Sequence, residues 1–204
     1  MINKFNKDSY AKYIIGIGIS TGGPRALKEV LPLLPKDLPA AFPIVQHMPP
    51  VFTKSLAERL NSMCNINVKE AGDGDILENG NAYIAPGDYH IMVVRKSFNK
   101  NEFVIKLTKD PPVSGHRPSA DVLFDSISEI NYKNVAGVIM TGMGCDGGNG
   151  LKKMYENLKC PIIAQDEESC IVYGMPKNVV QAGIASKVVP LKEIAKEIIN
   201  LTGV

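Results

Sequence analysis

The run Tyr13 to Ile19 (YIIGIGI) is apolar almost throughout, stops at Ser20-Thr21-Gly22-Gly23-Pro24, and gives way to Leu27, Val30, Leu31 and Leu34. So continuous an apolar run suits a strand covered on both faces. Pro24 suits the first helical position, where its missing N–H would be unpaired anyway, and apolar recurrence at i, i+3, i+4 and i+7 marks the buried side of a helix. Strand, tight turn and helix in this order open a βαβ unit. The same rhythm returns along most of the chain, which predicts helices on both faces of a mostly parallel sheet.

Further strands are expected at 41–46, 66–70, 135–140, 161–164 and 187–189. Further helices are expected from about Thr53, from about Ser119 with that serine as cap, through Leu151 to Leu158, near 176–182 and from Leu191. Between about residues 72 and 110, Gly/Asn/Asp turns separate NAYIAP, HIMVVRK and FVIKLTK without helical spacing, which predicts an antiparallel hairpin region appended to the parallel sheet. The fold class expected is α/β, doubly wound, with a mostly parallel sheet and an antiparallel hairpin region. It forms a single domain at 13–204, preceded by a polar extension at 1–12.

Composition removes several classes of function. Apolar residues at 45% and charged residues at 22% describe a chain that buries a core rather than a disordered one. The 23 basic and 21 acidic residues nearly cancel and are scattered, so no nucleic-acid partner is expected. No apolar stretch reaches membrane-spanning length and the polar N-terminus MINKFNKDSYAKY lacks a signal's apolar region, so no membrane insertion and a cytoplasmic location are expected. Cys64, Cys145, Cys160 and Cys170 form no CxxC pair and have no histidine at ligand spacing. Neither a disulfide framework, nor a metal, nor a cofactor is expected, and Cys145 is read as a packing residue.

In open parallel sheets, sites gather beyond the carboxyl ends of strands, which fixes the loops to inspect. The first, Gly16 to Pro24, contains Gly18-Ile19-Ser20-Thr21-Gly22, a G-x-S-x-G turn of the kind that pushes a serine out of the sheet. The same glycines fit a dinucleotide-binding turn, which would call for an acidic residue at the end of the second strand. That position holds Gln46-His47-Met48 instead. A histidine is not the carboxylate acceptor that a ribose calls for, but it can act as base for a serine one strand away. The serine reading therefore leads and the nucleotide turn stays as the alternative. The third loop, Thr141 to Gly148, carries Asp146, which can either cap the following helix or accept the second imidazole N–H of His47 and stabilise the imidazolium. Its glycine-rich setting suggests a partly solvated carboxylate. His90 and His116 are rival bases, but neither ends a core parallel strand.

At these residues the chain resembles the catalytic domain of the bacterial chemotaxis protein-glutamate methylesterases, the CheB family. The resemblance rests on IGISTGGP (17–24), QHMPPVFTKSLAERL (46–60), AYIAPGDYH (82–90), RPSAD (117–121), IMTGMGCDGGNGL (139–151) and AQDEESCIVYGMP (164–176). It implies a serine hydrolase that removes methyl groups from γ-glutamyl methyl esters on cytoplasmic helices of chemoreceptors and releases methanol, with glutamine deamidation in some relatives. The family's active-site serine, histidine and aspartate fall on Ser20, His47 and Asp146, and Thr21 and Met143 stand as suppliers of oxyanion contacts or substrate lining. No cofactor is implied. The resemblance also implies a preceding receiver domain. None is read in this chain, which leaves open a stand-alone enzyme or a piece of a longer, phospho-regulated one.

Overall fold

The computed structural model describes residues 9–96 and 102–203. In chain order the elements are β1 (Tyr13–Ile19), α1 (Gly23–Val30), β2 (Ala40–Gln46), α2 (Phe52–Asn61), β3 (Asn67–Glu70), β4 (Asn81–Ile84), β5 (His90–Arg95) and β6 (Phe103–Thr108). After them come α3 (Ala120–Glu129), β7 (Val135–Ile139), α4 (Gly148–Leu158), β8 (Ile162–Gln165), α5 (Met175–Gln181), β9 (Lys187–Val189) and α6 (Leu191–Thr202). The main sheet has seven parallel strands in the order β3-β4-β2-β1-β7-β8-β9. The chain leaves β1 toward β2 and later returns to β7 on the other side of it. The topological switch point thus lies between β1 and β7, where crevices form beyond the strand ends.

Two apolar layers cover the sheet. On one face Ile15, Ile17 and Ile19 of β1 pack with Leu27 and Val30 of α1, Leu56 and Leu60 of α2, and Ile194 and Ile198 of α6. On the other lie Phe124 and Ile127 of α3, Leu151 and Met154 of α4, Val179 of α5, and β5 with β6. The period of two in β1 explains the division. Ile15, Ile17 and Ile19 face α1, while Ile14, Gly16 and Gly18 face the layer of α3. A Cβ on Gly16 would stand 2.8 Å from Ile127 Cδ1, and one on Gly18 would stand 3.0 Å from the Cβ of Ala120. Those two glycines let α3 settle against the middle of the sheet and bring its N-terminus under the end of β1. Burying the Phe124 ring there contributes about 2–3 kcal/mol.

The expected antiparallel hairpin region is present as β5 with β6, but it forms a separate two-stranded sheet rather than an extension of the main one, and its first expected segment lies elsewhere. NAYI is β4, a parallel strand between β2 and β3. The reason is the connection: parallel strands ordinarily need a crossover helix, but residues 71–80 cross over as irregular chain. The buried residues Ala82, Tyr83 and Ile84 carry the better signal of a strand covered on both faces. Of the expected polar extension, residues 1–8 lie outside the described residues. Residues 9–12 run against 77–79: Ala11 N–H donates to Leu77 O, Lys12 N–H donates to Asn79 Oδ1, and the Ala11 side chain is buried in the core.

Candidate active site

Three strand ends meet at the switch point. β1 delivers Ser20, β2 delivers His47, and β7 leads into the loop that holds Asp146. Backbone hydrogen bonds fasten them together: Ser20 N–H donates to Thr141 O at 3.0 Å, Met140 N–H to Gly18 O at 2.9 Å, and His47 N–H to Ile19 O at 3.4 Å. The buried Gln46 amide bridges two of the strand ends, its Nε2 donating to Ser20 O at 3.1 Å and His47 O at 3.2 Å. Thr141 Oγ1 donates to Thr21 O at 2.9 Å and accepts the N–H groups of Ile171 and Val172 at 3.1 and 3.0 Å, so the loop after β8 is drawn into the same knot.

Within this frame Ser20 Oγ lies 3.1 Å from His47 Nδ1, and His47 Nε2 lies 2.7 Å from Asp146 Oδ2. The carboxylate can only accept, so it fixes the proton on Nε2 and leaves Nδ1 as acceptor for the Ser20 hydroxyl. The two ring nitrogens exchange the parts they play in the serine-protease template, where Nε2 faces the serine. Geometry, not atom name, decides the role.

Asp146 is buried, 2% exposed, and not the partly solvated loop aspartate its glycine neighbours suggested. Nor does it cap the helix that follows it, for Gly147 takes the cap position of α4 without a side-chain bond. Its carboxylate instead faces the N-terminus of α3. It accepts Ala120 N–H at 2.7 Å on Oδ2, and Asp121 N–H at 3.1 Å and the Ser119 hydroxyl at 2.7 Å on Oδ1. Ser119 occupies the expected cap position of α3 but makes no capping bond. Asp146 supplies that cap from another loop, because the close approach of α3 to β1 puts the helix N-terminus beneath it. Burial opposes ionisation of Asp146. The hydrogen bonds from His47, Ser119, Ala120 and Asp121 outweigh it and hold the carboxyl below its ordinary value. The positive end of α3 favours the same charge.

Asp121, in the first turn of α3, does for α4 what Asp146 does for α3: its Oδ1 accepts Gly150 N–H at 2.8 Å. Burial, with the neighbouring Asp146 charge, pushes its carboxyl up.

The remaining histidines separate cleanly. His90 is buried; its Nδ1 accepts Ser119 N–H at 3.2 Å and its Nε2 donates to Pro111 O at 3.1 Å, so both nitrogens are committed to framework. His116 lies in the site, its ring stacked on that of His47 with centroids 4.0 Å apart and planes 8° apart. Burial, then the like charge of His47, push its proton affinity down against the pull of Asp146. Thr21 and Met143 stand on the loops that flank Ser20, and Met143 is 71% exposed. The Ser20 N–H is spent on Thr141 O, whereas the N–H groups of Thr21 and Met143 have no acceptor among the described residues. Cys145, read as a packing residue, is exposed. Sequence reasoning missed Gln46 and the role of Ser119. RPSAD was a visible block, but nothing in its spacing tells which strand end its serine faces.

Comparison with known proteins gives a consistent picture. The model of the CheB methylesterase family matches residues 15–198. A protein-glutamate methylesterase/protein-glutamine glutaminase of Halalkalibacterium halodurans is 52% identical over 191 residues, 94% of this chain and 54% of that protein. Its counterpart in Geobacillus kaustophilus is 48% identical over 190 residues, 93% of this chain and 54% of that protein. The chain therefore spans about half the length of the curated relatives it matches. The crystal structure of the Thermotoga maritima CheB methylesterase catalytic domain superposes with a TM-score of 0.88 at 43% identity, covering 93% of this chain and 98% of that one. With nearly all of its length matched by the family model, the chain belongs to the CheB methylesterase family.

Proposed function

We propose that residues 13–204 form a serine hydrolase that cleaves γ-glutamyl methyl esters, and the side-chain amides of glutamines, on cytoplasmic helices of chemoreceptors, acting in the cytoplasm. The observation that carries this reading is the hydrogen-bonded line from Ser20 Oγ through His47 to Asp146, at 3.1 and 2.7 Å. The names of the relatives, which couple methylesterase with glutaminase, supply the substrate class. No described helix is long and apolar enough to cross a membrane, which agrees with action from the aqueous side.

Ser20 Oγ attacks the ester carbonyl carbon as its proton passes to His47 Nδ1. Asp146, accepting the Nε2–H, stabilises the imidazolium that forms. The tetrahedral oxyanion draws on the N–H groups of Thr21 and Met143, which have no acceptor of their own, while the Ser20 N–H is already engaged. His47 then hands its proton to the departing methoxide, methanol leaves, and a glutamyl ester of Ser20 remains. Water attacks that ester with His47 again as base, releasing the glutamate and restoring the Ser20 hydroxyl. A glutamine substrate follows the same path with ammonia as leaving group.

The test is methanol release from a receptor carrying labelled methyl esters. Wild-type protein releases labelled methanol. Folded Ser20→Ala, which removes the nucleophile and adds no volume, falls to near background. Release by that variant at the wild-type rate would overturn the assignment.

A further inference from the structure

Hydrogen bonds at Nδ1 and Nε2 hold the His47 ring at two atoms of its edge. Neither bond touches the ring face, and a small turn about Cβ–Cγ carries both nitrogens out of line with Ser20 and Asp146 and weakens both bonds, because each depends on a lone pair or N–H lying along the contact.

His116 closes that freedom. Its ring lies flat on the His47 face, 4.0 Å between centroids at 8°. It makes no side-chain hydrogen bond among the described residues, so the stack is what occupies it. Its backbone, by contrast, is firmly held. Val113 N–H donates to His116 O at 3.1 Å and His116 N–H donates to Val113 O at 2.9 Å, closing a turn over Ser114 and Gly115. Both turn residues have positive φ, 52° and 79°, as a tight two-residue hairpin requires. Next in the chain, Arg117 bonds to the Asp88 carboxylate and to the carbonyls of Lys109 and Asp110, pinning the base of the turn. An imidazole with no side-chain hydrogen bond among the described residues, on so well-fastened a backbone, is a shelf, and it lines a cleft of about 370 Å³ together with Met48, Pro49 and Pro50.

We propose that His116 is a positioning residue that, through stacking alone, holds His47 in the plane aimed at both Ser20 and Asp146 and keeps water from that face of the ring. This rests on His47 being the base. Partial burial and the like charge of His47 push the His116 proton affinity down, against the pull of Asp146. A neutral aromatic face against an imidazolium is favourable, whereas a second cation there is not.

The test uses a fluorophosphonate, which Ser20 Oγ attacks at phosphorus with loss of fluoride and which needs no receptor. His116→Ala should label about three- to tenfold more slowly than wild type, the worth of one stacked aromatic pair. His116→Phe, which stacks but offers no ring nitrogen, should label within about twofold of wild type. On methyl-esterified receptor, His116→Ala should lose kcat with KM unchanged, and His116→Phe should melt with the wild-type protein. A His116→Phe variant as slow as His116→Ala, or a rise in KM without loss of kcat, would assign the residue to substrate contact and overturn the proposal. A wild-type rate for His116→Ala would overturn it as well. Labelling of Ser20→Ala at the wild-type rate would defeat the hydrolase reading beneath it, an outcome distinct from labelling confined to Ser20 that ignores residue 116.

Discussion

At the scale of the residue, the Asp146 carboxylate accepts a hydrogen bond from His47 Nε2 and also caps a helix, but the helix is α3 and not the one it precedes. The simple separation of the two roles by Asp146→Asn therefore changes. For an ordinary N-cap the change is almost silent, since asparagine caps about as well. Here four donors converge on one buried carboxylate, and an amide offers a single acceptor oxygen with an NH2 facing the rest. At least one donor must then meet another donor. We expect a stability loss of about 1–3 kcal/mol, a fall in Tm of roughly 2–10 °C for a domain of this size. Hydrolysis should fall by about a hundred-fold or more, toward the roughly ten-thousand-fold of the serine-protease template. Full burial moves this expectation up, because an unscreened charge acts more strongly on the imidazole. Kinetics and melting of the one variant decide the matter: a lowered Tm with an unchanged rate would leave Asp146 a cap and nothing more.

At the scale of the element, α3 was legible where it begins, and Leu123, Phe124 and Ile127 are among the residues it buries. Its cap was not legible, since a cap supplied by a loop 25 to 27 residues away leaves no local signature. The link between Ser119 and Asp146 gives α3 a measurable acid response. The Asp146 carboxyl is depressed in the folded chain: burial opposes this and the converging donors prevail. A depressed carboxyl contributes stability that is fully present above its unfolded value, about 3.9, and is lost as the pH falls through the folded value. Ser119→Ala deletes the 2.7 Å hydroxyl donor while leaving both backbone N–H bonds, so the folded value should rise toward the unfolded one. Stability at neutral pH should fall by about 1–2 kcal/mol. The midpoint of acid unfolding, followed by circular dichroism, should move to higher pH, and the gap between variant and wild type should narrow below about pH 3 as the charge disappears from both. A gap that stays constant down to about pH 2 would show that the lost stability is packing and not charge.

At the scale of the whole molecule, the doubly wound α/β plan, the parallel sheet and the three loops at the switch point were legible, because periodicity and glycine turns are local signals that topology then gathers. The placement of β4 was not, since an irregular crossover reads like a hairpin loop. The stacking of His116 on His47 was not legible either, because it depends on how a separate hairpin turn folds back over the site. The glycines of the first loop show the same distinction between a pattern and its use. As a nucleotide turn, Gly16, Gly18 and Gly22 would keep the backbone bare for a pyrophosphate. Here Gly16 and Gly18 are filled by Ile127, Phe124 and Ala120 from beneath, and a Cβ on Gly22 would stand 2.7 Å from Ile171 Cγ1. Those glycines therefore serve close packing, of α3 against one side of the strand and of the loop after β8 against Gly22, and His47 stands where a ribose would seek a carboxylate. A ligand at a hundred times its Kd stabilises the folded state by about 2.7 kcal/mol, which for a domain of this size raises Tm by roughly 5–10 °C. Millimolar NAD or ATP should therefore leave the Tm of this domain unchanged, whereas covalent fluorophosphonate labelling at Ser20 proceeds in their presence at an undiminished rate. A nucleotide-dependent rise in Tm together with protection of Ser20 would mean that the loop opens for a phosphate after all, and that the packing of Ile171 over Gly22 is a closed state of a nucleotide site.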